Sequence, residues 1–320
     1  MMSTQNRIAN FPISFFSMVM GLAGLSIAWQ KAQHIFEVDL SINLFLMTIT
    51  SGVFIALLSA YAVKYLMAYQ AVLSEFKNPI KLNFFPTISI SLLLISVTFL
   101  QFDQNISLPI WVAGSTVHLL FTLYIVNAWI HHEHFEVQHL NPAWFIPAVG
   151  NVIVPVTGVQ LGFIEISWFF FSIGMLFWVI LLTIIFNRVM FHKTMQEKLI
   201  PTLFILIAPP AVGFISYIKL NGDLDAFARI LYFSGLFLTM LMLVQIKRFA
   251  KLKFFLSWWA YSFPLAAITI ASFSMYELTQ NLAYQYIAGA LLILLTTVVI
   301  LLIFKTVIAI KNHNICVEEH

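Results

Sequence analysis

"SWWAYSFPLAAITIASFSM", Ser257–Met275, lies in an apolar run long enough to cross a bilayer, yet a proline stands near its middle. A span takes about 20 mostly apolar residues at about 1.5 Å rise each. Pro264 has no N–H to return to the carbonyl of Ala260, and its ring crowds that carbonyl, a fault worth about 3 kcal/mol in an ordinary helix interior. A broken backbone at membrane depth persists where protein or a water-filled cavity, rather than lipid, surrounds it.

Working outward, the rest of the chain has the same character. The 320 residues are 61% hydrophobic and 9% charged, against roughly 25% charged in soluble domains. This is the composition of an all-α polytopic membrane protein, and the length accommodates about ten spans with short loops. Residues 1–320 therefore read as a single transmembrane domain. Apolar runs between polar breaks predict ten transmembrane helices, at Phe11–Gln30, Leu40–Val63, Phe84–Leu100, Leu108–Ile130, Pro142–Leu161, Ile164–Phe186, Pro201–Ile218, Asp225–Ile246, Phe254–Met275 and Tyr284–Ile310. Short connections such as "LGFIE" make successive helices antiparallel neighbours.

Basic residues set the expected orientation, because Lys and Arg stay on the cytoplasmic side. With the N-terminus inside, 13 of the 16 Lys and Arg fall on inner segments, including Lys247, Arg248, Lys251 and Lys253, while Lys31 and Lys219 are outer. The expectation is a multi-pass protein of the cell (inner) membrane with both termini cytoplasmic. The first run is too long for a signal peptide and lacks a small-residue cleavage site, so it reads as a retained helix. One cysteine, Cys316, leaves no partner for a disulfide within the chain.

Proline placement predicts which helices face inward. Pro12, Pro86, Pro109, Pro142 and Pro201 sit near predicted helix starts, where proline is tolerated. The interior prolines, Pro147, Pro155, Pro209, Pro210 and Pro264, all fall in the fifth, seventh and ninth helices. Five hairpins, each with an inner odd helix and an outer even one, would close into a ring around an axis. Ordinary kinks within a solid bundle are the alternative reading of the same prolines.

"WWAYSFPLA" (258–266), "NPAWFIPAVGN" (141–151), "LIAPPAVGFISY" (206–217) and "KLNFFPTISISL" (81–92) resemble the tellurite-resistance/dicarboxylate transporter family. That family includes the bacterial tellurite-resistance protein A and the plant guard-cell slow anion channels. The resemblance implies five hairpins in a pseudo-fivefold ring around a central pore, and a homotrimer with one pore per subunit. It also implies that Phe263 blocks the pore. Ser17 and Val19 stand where bacterial relatives often have glycine and proline, so the pore near Ser17 departs from the family pattern.

From its own position, Phe263 lies nine residues after Phe254, about 13 Å along the helix and near the midplane. A hydrophobic constriction there gates by excluding water as well as by bulk. Among 32 phenylalanines, packing against core or lipid is the plain alternative. Pro264 bends the helix so that Phe263 points to the axis, and Pro209, Pro210, Pro147, Pro155 and Ser17 are the further candidates for pore kinks and lining. The inner helices carry no Lys, Arg, Asp or Glu in their central turns, whereas coupled transporters usually keep an acid or histidine at depth.

Two classes follow. One is an anion channel gated by Phe263; the other is a passive or proton-coupled carrier for small oxyanions or dicarboxylates such as tellurite, sulfite or malate. Expected partners are small inorganic or organic anions and the bilayer, with no nucleic acid and no cofactor. "HHEHFEVQH", His131–His139, is a generic candidate for weak metal binding and reads first as a solvated loop. His118, deep in a span, is expected to hydrogen-bond to a neighbouring helix. No phosphate-binding loop, nucleophile elbow or metalloprotease motif is present, which argues against an enzyme.

Overall fold

The computed structural model describes residues 4–38, 40–131 and 135–316. Among them every regular element is helical, and nine helices are long and apolar enough to cross a membrane. These are α1 (Ile13–Ile35), α2 (Ile42–Met67), α3 (Lys81–Phe99), α4 (Gln104–His131), α6 (Ile164–Phe191), α7 (Glu197–Asn221), α8 (Ala226–Val244), α9 (Leu256–Thr279) and α10 (Leu282–Lys311). Between α4 and α6 lies a shorter apolar helix, α5 (Pro142–Gly158).

Burial alternates along the chain. In α1, α3, α7 and α9 between 67% and 89% of the most apolar stretch is buried, and in α5 every residue but Val156 is. In the even helices the share is 17–39%. Their remaining surface is apolar, as at Val244 and Leu66, more than three-quarters exposed, and suits lipid. Each odd helix packs on its even successor as a hairpin. The odd helices also pack on one another in the order α1, α3, α5, α7, α9 and back to α1, and each even helix leans on the next odd one.

Two boundaries and one connection differ from the sequence reading for identifiable reasons. Helix α4 starts at Gln104, where the Asp103 carboxylate accepts from the Asn105 N–H at 2.8 Å, so Pro109 lies in its second turn rather than its first. Helix α2, expected to end at Val63, runs on to Met67 and buries Lys64. Its ammonium donates to Glu75 at 2.6 Å and to the Phe11 carbonyl at 2.8 Å, and the Tyr61 hydroxyl donates to the same carboxylate at 2.9 Å. Glu75 sits on a short helix, Tyr69–Lys77, in what the sequence suggested was a connection.

Candidate functional site

The puzzle of the interior prolines is resolved locally. In each broken helix a 3-10 stretch precedes an α-helical one, and the prolines occupy the second or third position of the α segment. Helix α9 is 3-10 over Leu256–Tyr261 and α from Ser262, so Pro264 is third. Helix α7 is 3-10 over Glu197–Ile207 and α from Ala208, placing Pro209 and Pro210 second and third. In α5, Pro147 is third in Phe145–Val149 and Pro155 second in Val154–Gly158, each after a 3-10 stretch. First-turn N–H groups lack an α-helical partner, so a proline there forfeits little.

Side chains donate to several carbonyls along the broken α5. Thr122 Oγ1 donates to the Pro147 carbonyl at 2.7 Å, Asn151 Nδ2 to Ala148 at 2.7 Å, and Trp111 Nε1 to Val154 at 2.9 Å. Ser216 from α7 donates to the Val152 carbonyl. Irregular backbone is thereby satisfied within protein, the condition for its survival at membrane depth. His118 meets its expectation: Nδ1 pairs with Ser89 Oγ on α3 at 2.9 Å, and its ring packs on Gly150, where a Cβ would fall 2.6 Å from Cε1.

Where the odd helices meet, they line a cavity of about 60 Å³. Every one of them contributes to its wall: Ser17 and Met20 from α1, Phe84 and Ile90 from α3, and Phe145, Ile146, Val149, Gly150, Val152 and Ile153 from α5. Ile205, Ala208, Pro209 and Val212 come from α7, and Trp259, Ala260, Phe263 and Pro264 from α9. None of these side chains is charged, and Ser17 has the only hydroxyl among them. On α9 Ala260 and Phe263 are partly exposed, while Trp258, Trp259, Tyr261, Ser262 and Pro264 around them are buried. That pattern turns the Phe263 ring to the cavity.

Of the residues singled out from sequence, Ser17, Pro209, Phe263 and Pro264 converge on this cavity. Pro147, Pro155 and Pro210 are buried beside it and are not among its lining residues. The histidine-rich loop gives less: His132, Glu133 and His134 lie outside the described residues. His131 bonds the Asn127 carbonyl, and Glu136 and His139 cap a short 3-10 turn. Among the described residues no three His, Cys, Asp or Glu group as metal ligands.

Two features escaped the sequence reading. Gly21 and Gly24 let α1 approach α9: a Cβ on Gly21 would fall 2.8 Å from Ser262 Cβ, and one on Gly24 would fall 2.7 Å from Ala266 Cβ and 3.5 Å from the Phe263 ring. Their spacing, three apart on one helix face, was the available signal. On α5 the prolines marked the helix as an inner one, but which of its residues form the wall had no signal, because Phe145, Ile146, Val149 and Ile153 look like any core.

Residues 10–307 match the model of the SLAC1 family, the voltage-dependent anion channels. The chain belongs to that family. Among the anion-channel relatives, the S-type anion channel SLAH3 of Arabidopsis thaliana is 28% identical over 311 residues, covering 94% of this chain and 48% of SLAH3. The uncharacterized transporter MJ0762 of Methanocaldococcus jannaschii is 25% identical and covered over 95% of this chain and 96% of its own. The tellurite resistance protein TehA homolog of Haemophilus influenzae is 26% identical over 280 residues, 86% of this chain and 84% of the relative. The chain spans about half the length of the first plant relatives.

Proposed function

We propose that this protein is an anion-conducting membrane channel of the slow anion channel type, closed in this conformation by Phe263. The observation that carries the reading is the neutral cavity walled by all five odd helices, with Phe263 on its face beside Pro264. The space is small, about 60 Å³, and its wall is almost wholly apolar, so it offers a passing anion little to replace its water shell. An apolar constriction of that kind gates by dewetting and bulk together. With no carboxylate on the wall to repel them, weakly hydrated anions are favoured. The exposed Lys247, Arg248, Lys251 and Lys253 supply positive potential at the inner end. Pro209 and Pro264 shape the lining, and Pro147, Pro155 and Pro210 set the bends behind it.

The same reading has ten spans in a pseudo-fivefold ring of five hairpins, which the cyclic packing of the odd helices supports. It has both termini cytoplasmic in the cell membrane and a homotrimer with one pore per subunit. A reporter fused after His320 is expected to be active only in the cytoplasm, and mass measurement in mild detergent to give a trimer. A periplasmic reporter or a strict monomer would remove the corresponding part.

The gate is tested with purified protein in planar bilayers. Phe263→Ala is expected to express well and to carry anion current far above wild type, with Phe263→Leu between them. Phe273→Ala, at a fully buried residue away from the cavity, is expected to lose stability by about 3–5 kcal/mol without opening the channel. No added current from Phe263→Ala would make this ring a packing residue. Saturable flux that follows a pH gradient, in place of channel currents, would select the carrier.

A further inference from the structure

At the end where the odd helices finish, three charged residues continue the stripes that line the cavity. On α1, Lys31 lies eleven residues beyond the lining Met20, about 20° from it around the helix; on α7, Lys219 lies seven beyond Val212, again within about 20°. On α9, Glu277 lies fourteen beyond Phe263, within about 40°. All three intervals are uninterrupted α-helix. The three side chains also converge: Lys31 is ion-paired with Glu277, and Lys219 is within electrostatic reach of both.

The charges do not balance. Glu277 neutralises Lys31, while Lys219 is half-buried and makes no hydrogen bond or ion pair with any described residue. An ammonium on a half-buried wall, short of its full water shell and sharing one distant carboxylate with Lys31, presents its donors to whatever anion enters. We infer that Lys219, with Lys31 beside it, forms a binding site for small inorganic anions at the outer mouth of the pore, and that Glu277 weakens this site. The inference rests on the pore reading above for its role as an entry point. Conduction needs sites that attract an ion and still release it. A carboxylate held on one of two lysines leaves a single surplus charge, strong enough to concentrate anions in front of a neutral pore and weak enough to let them go.

The test uses chloride as the probe and two independent readouts. Chloride binding to detergent-solubilised wild type is followed by chlorine NMR line broadening, and chloride conductance is followed as a function of outer concentration in the Phe263→Ala background. Lys219→Gln is expected to raise the half-saturating chloride concentration about fivefold, the worth of one unit charge at contact in a water-like dielectric. Lys219→Arg is expected to hold it near wild type, and Glu277→Gln to lower it. Thermal unfolding of each variant checks that the fold is intact. If Lys219→Gln and Glu277→Gln leave chloride binding unchanged, or move it in the same direction, the site is overturned even where Phe263→Ala conducts. If Phe263→Ala does not conduct while the two variants shift binding in opposite directions, the site stands and the gate reading falls.

Discussion

Gly21→Ala tests how closely the gate helix is held. The added Cβ would stand 2.1 Å from Ser262 Oγ, 2.8 Å from Ser262 Cβ and 3.2 Å from the Trp259 ring. The hydroxyl can rotate only by leaving its 2.6 Å bond to the Trp259 carbonyl, and the Cβ cannot rotate at all. Ordinary carbon contacts sit at about 3.5–4.0 Å, so α1 and α9 must separate by roughly 0.7–1.2 Å. Overpacking of this kind costs about 1–3 kcal/mol, against which alanine recovers about 0.8–1.0 kcal/mol of helix propensity over glycine. The expected net loss is about 1 kcal/mol. Because Trp259 lines the cavity and Ser262 adjoins Phe263, the displacement falls on the gate and anion flux is expected to change with it. Thermal unfolding in detergent and anion flux from liposomes are the assays. In a Ser262→Gly background the two contacts under 3 Å are gone and only the 3.2 Å approach to the Trp259 ring remains, so adding Gly21→Ala is expected to cost much less than in wild type; that difference is the coupling a double-mutant cycle measures. If Gly21→Ala is neutral in wild type, or equally harmful with Ser262→Gly, the close approach of α1 to α9 is not what positions Phe263.

The buried pair between α2 and the short helix Tyr69–Lys77 gives a second prediction. The Lys64 and Glu75 side chains are 1% and 8% exposed, so Glu75→Gln, which strands the ammonium, is expected to cost about 3–5 kcal/mol, and Lys64→Met with Glu75→Leu considerably less. Equal losses in denaturation experiments would contradict this. A third concerns acid. The Asp225 carboxylate caps α8, accepting from the Ala228 N–H at 2.9 Å and from the Tyr217 hydroxyl at 2.6 Å, and these bonds, Ala228 first, hold its pKa below the ordinary value. A lowered native pKa means stability that is full above the unfolded-state pKa and lost as pH falls through the native one. Wild-type stability should therefore drop faster than that of Asp225→Asn below about pH 4, and parallel curves would refute the linkage.

Composition and apolar run length determined the class of this protein without any tertiary information. At 9% charge the chain has too little polar surface to fold in water, and helices are what a chain of this length can offer a bilayer, since they satisfy their own backbone. The clustering of Pro147, Pro155, Pro209, Pro210 and Pro264 on the fifth, seventh and ninth helices also pointed to the odd helices as the inner ones, and the burial pattern agrees. "WWAYSFP" singled out Phe263 and Pro264 together.

What the sequence left open was how the proline faults are relieved and which apolar residues share a wall. The change from 3-10 to α helix just before each interior proline is a property of the whole backbone path, invisible to a residue-by-residue penalty. That Phe263 faces a cavity while Phe273 is sealed in the core depends on helix rotation, and an α9 that is apolar all round carries no periodicity to report it. Likewise, nothing in the sequence marks Lys64 as buried until Glu75, Tyr61 and the Phe11 carbonyl are brought around it. Lys31, Lys219 and Glu277, far apart in the chain, become one cluster because their three helices end side by side. Such meetings are decided by packing, since local sequence fixes what a residue is and only the fold fixes what it touches.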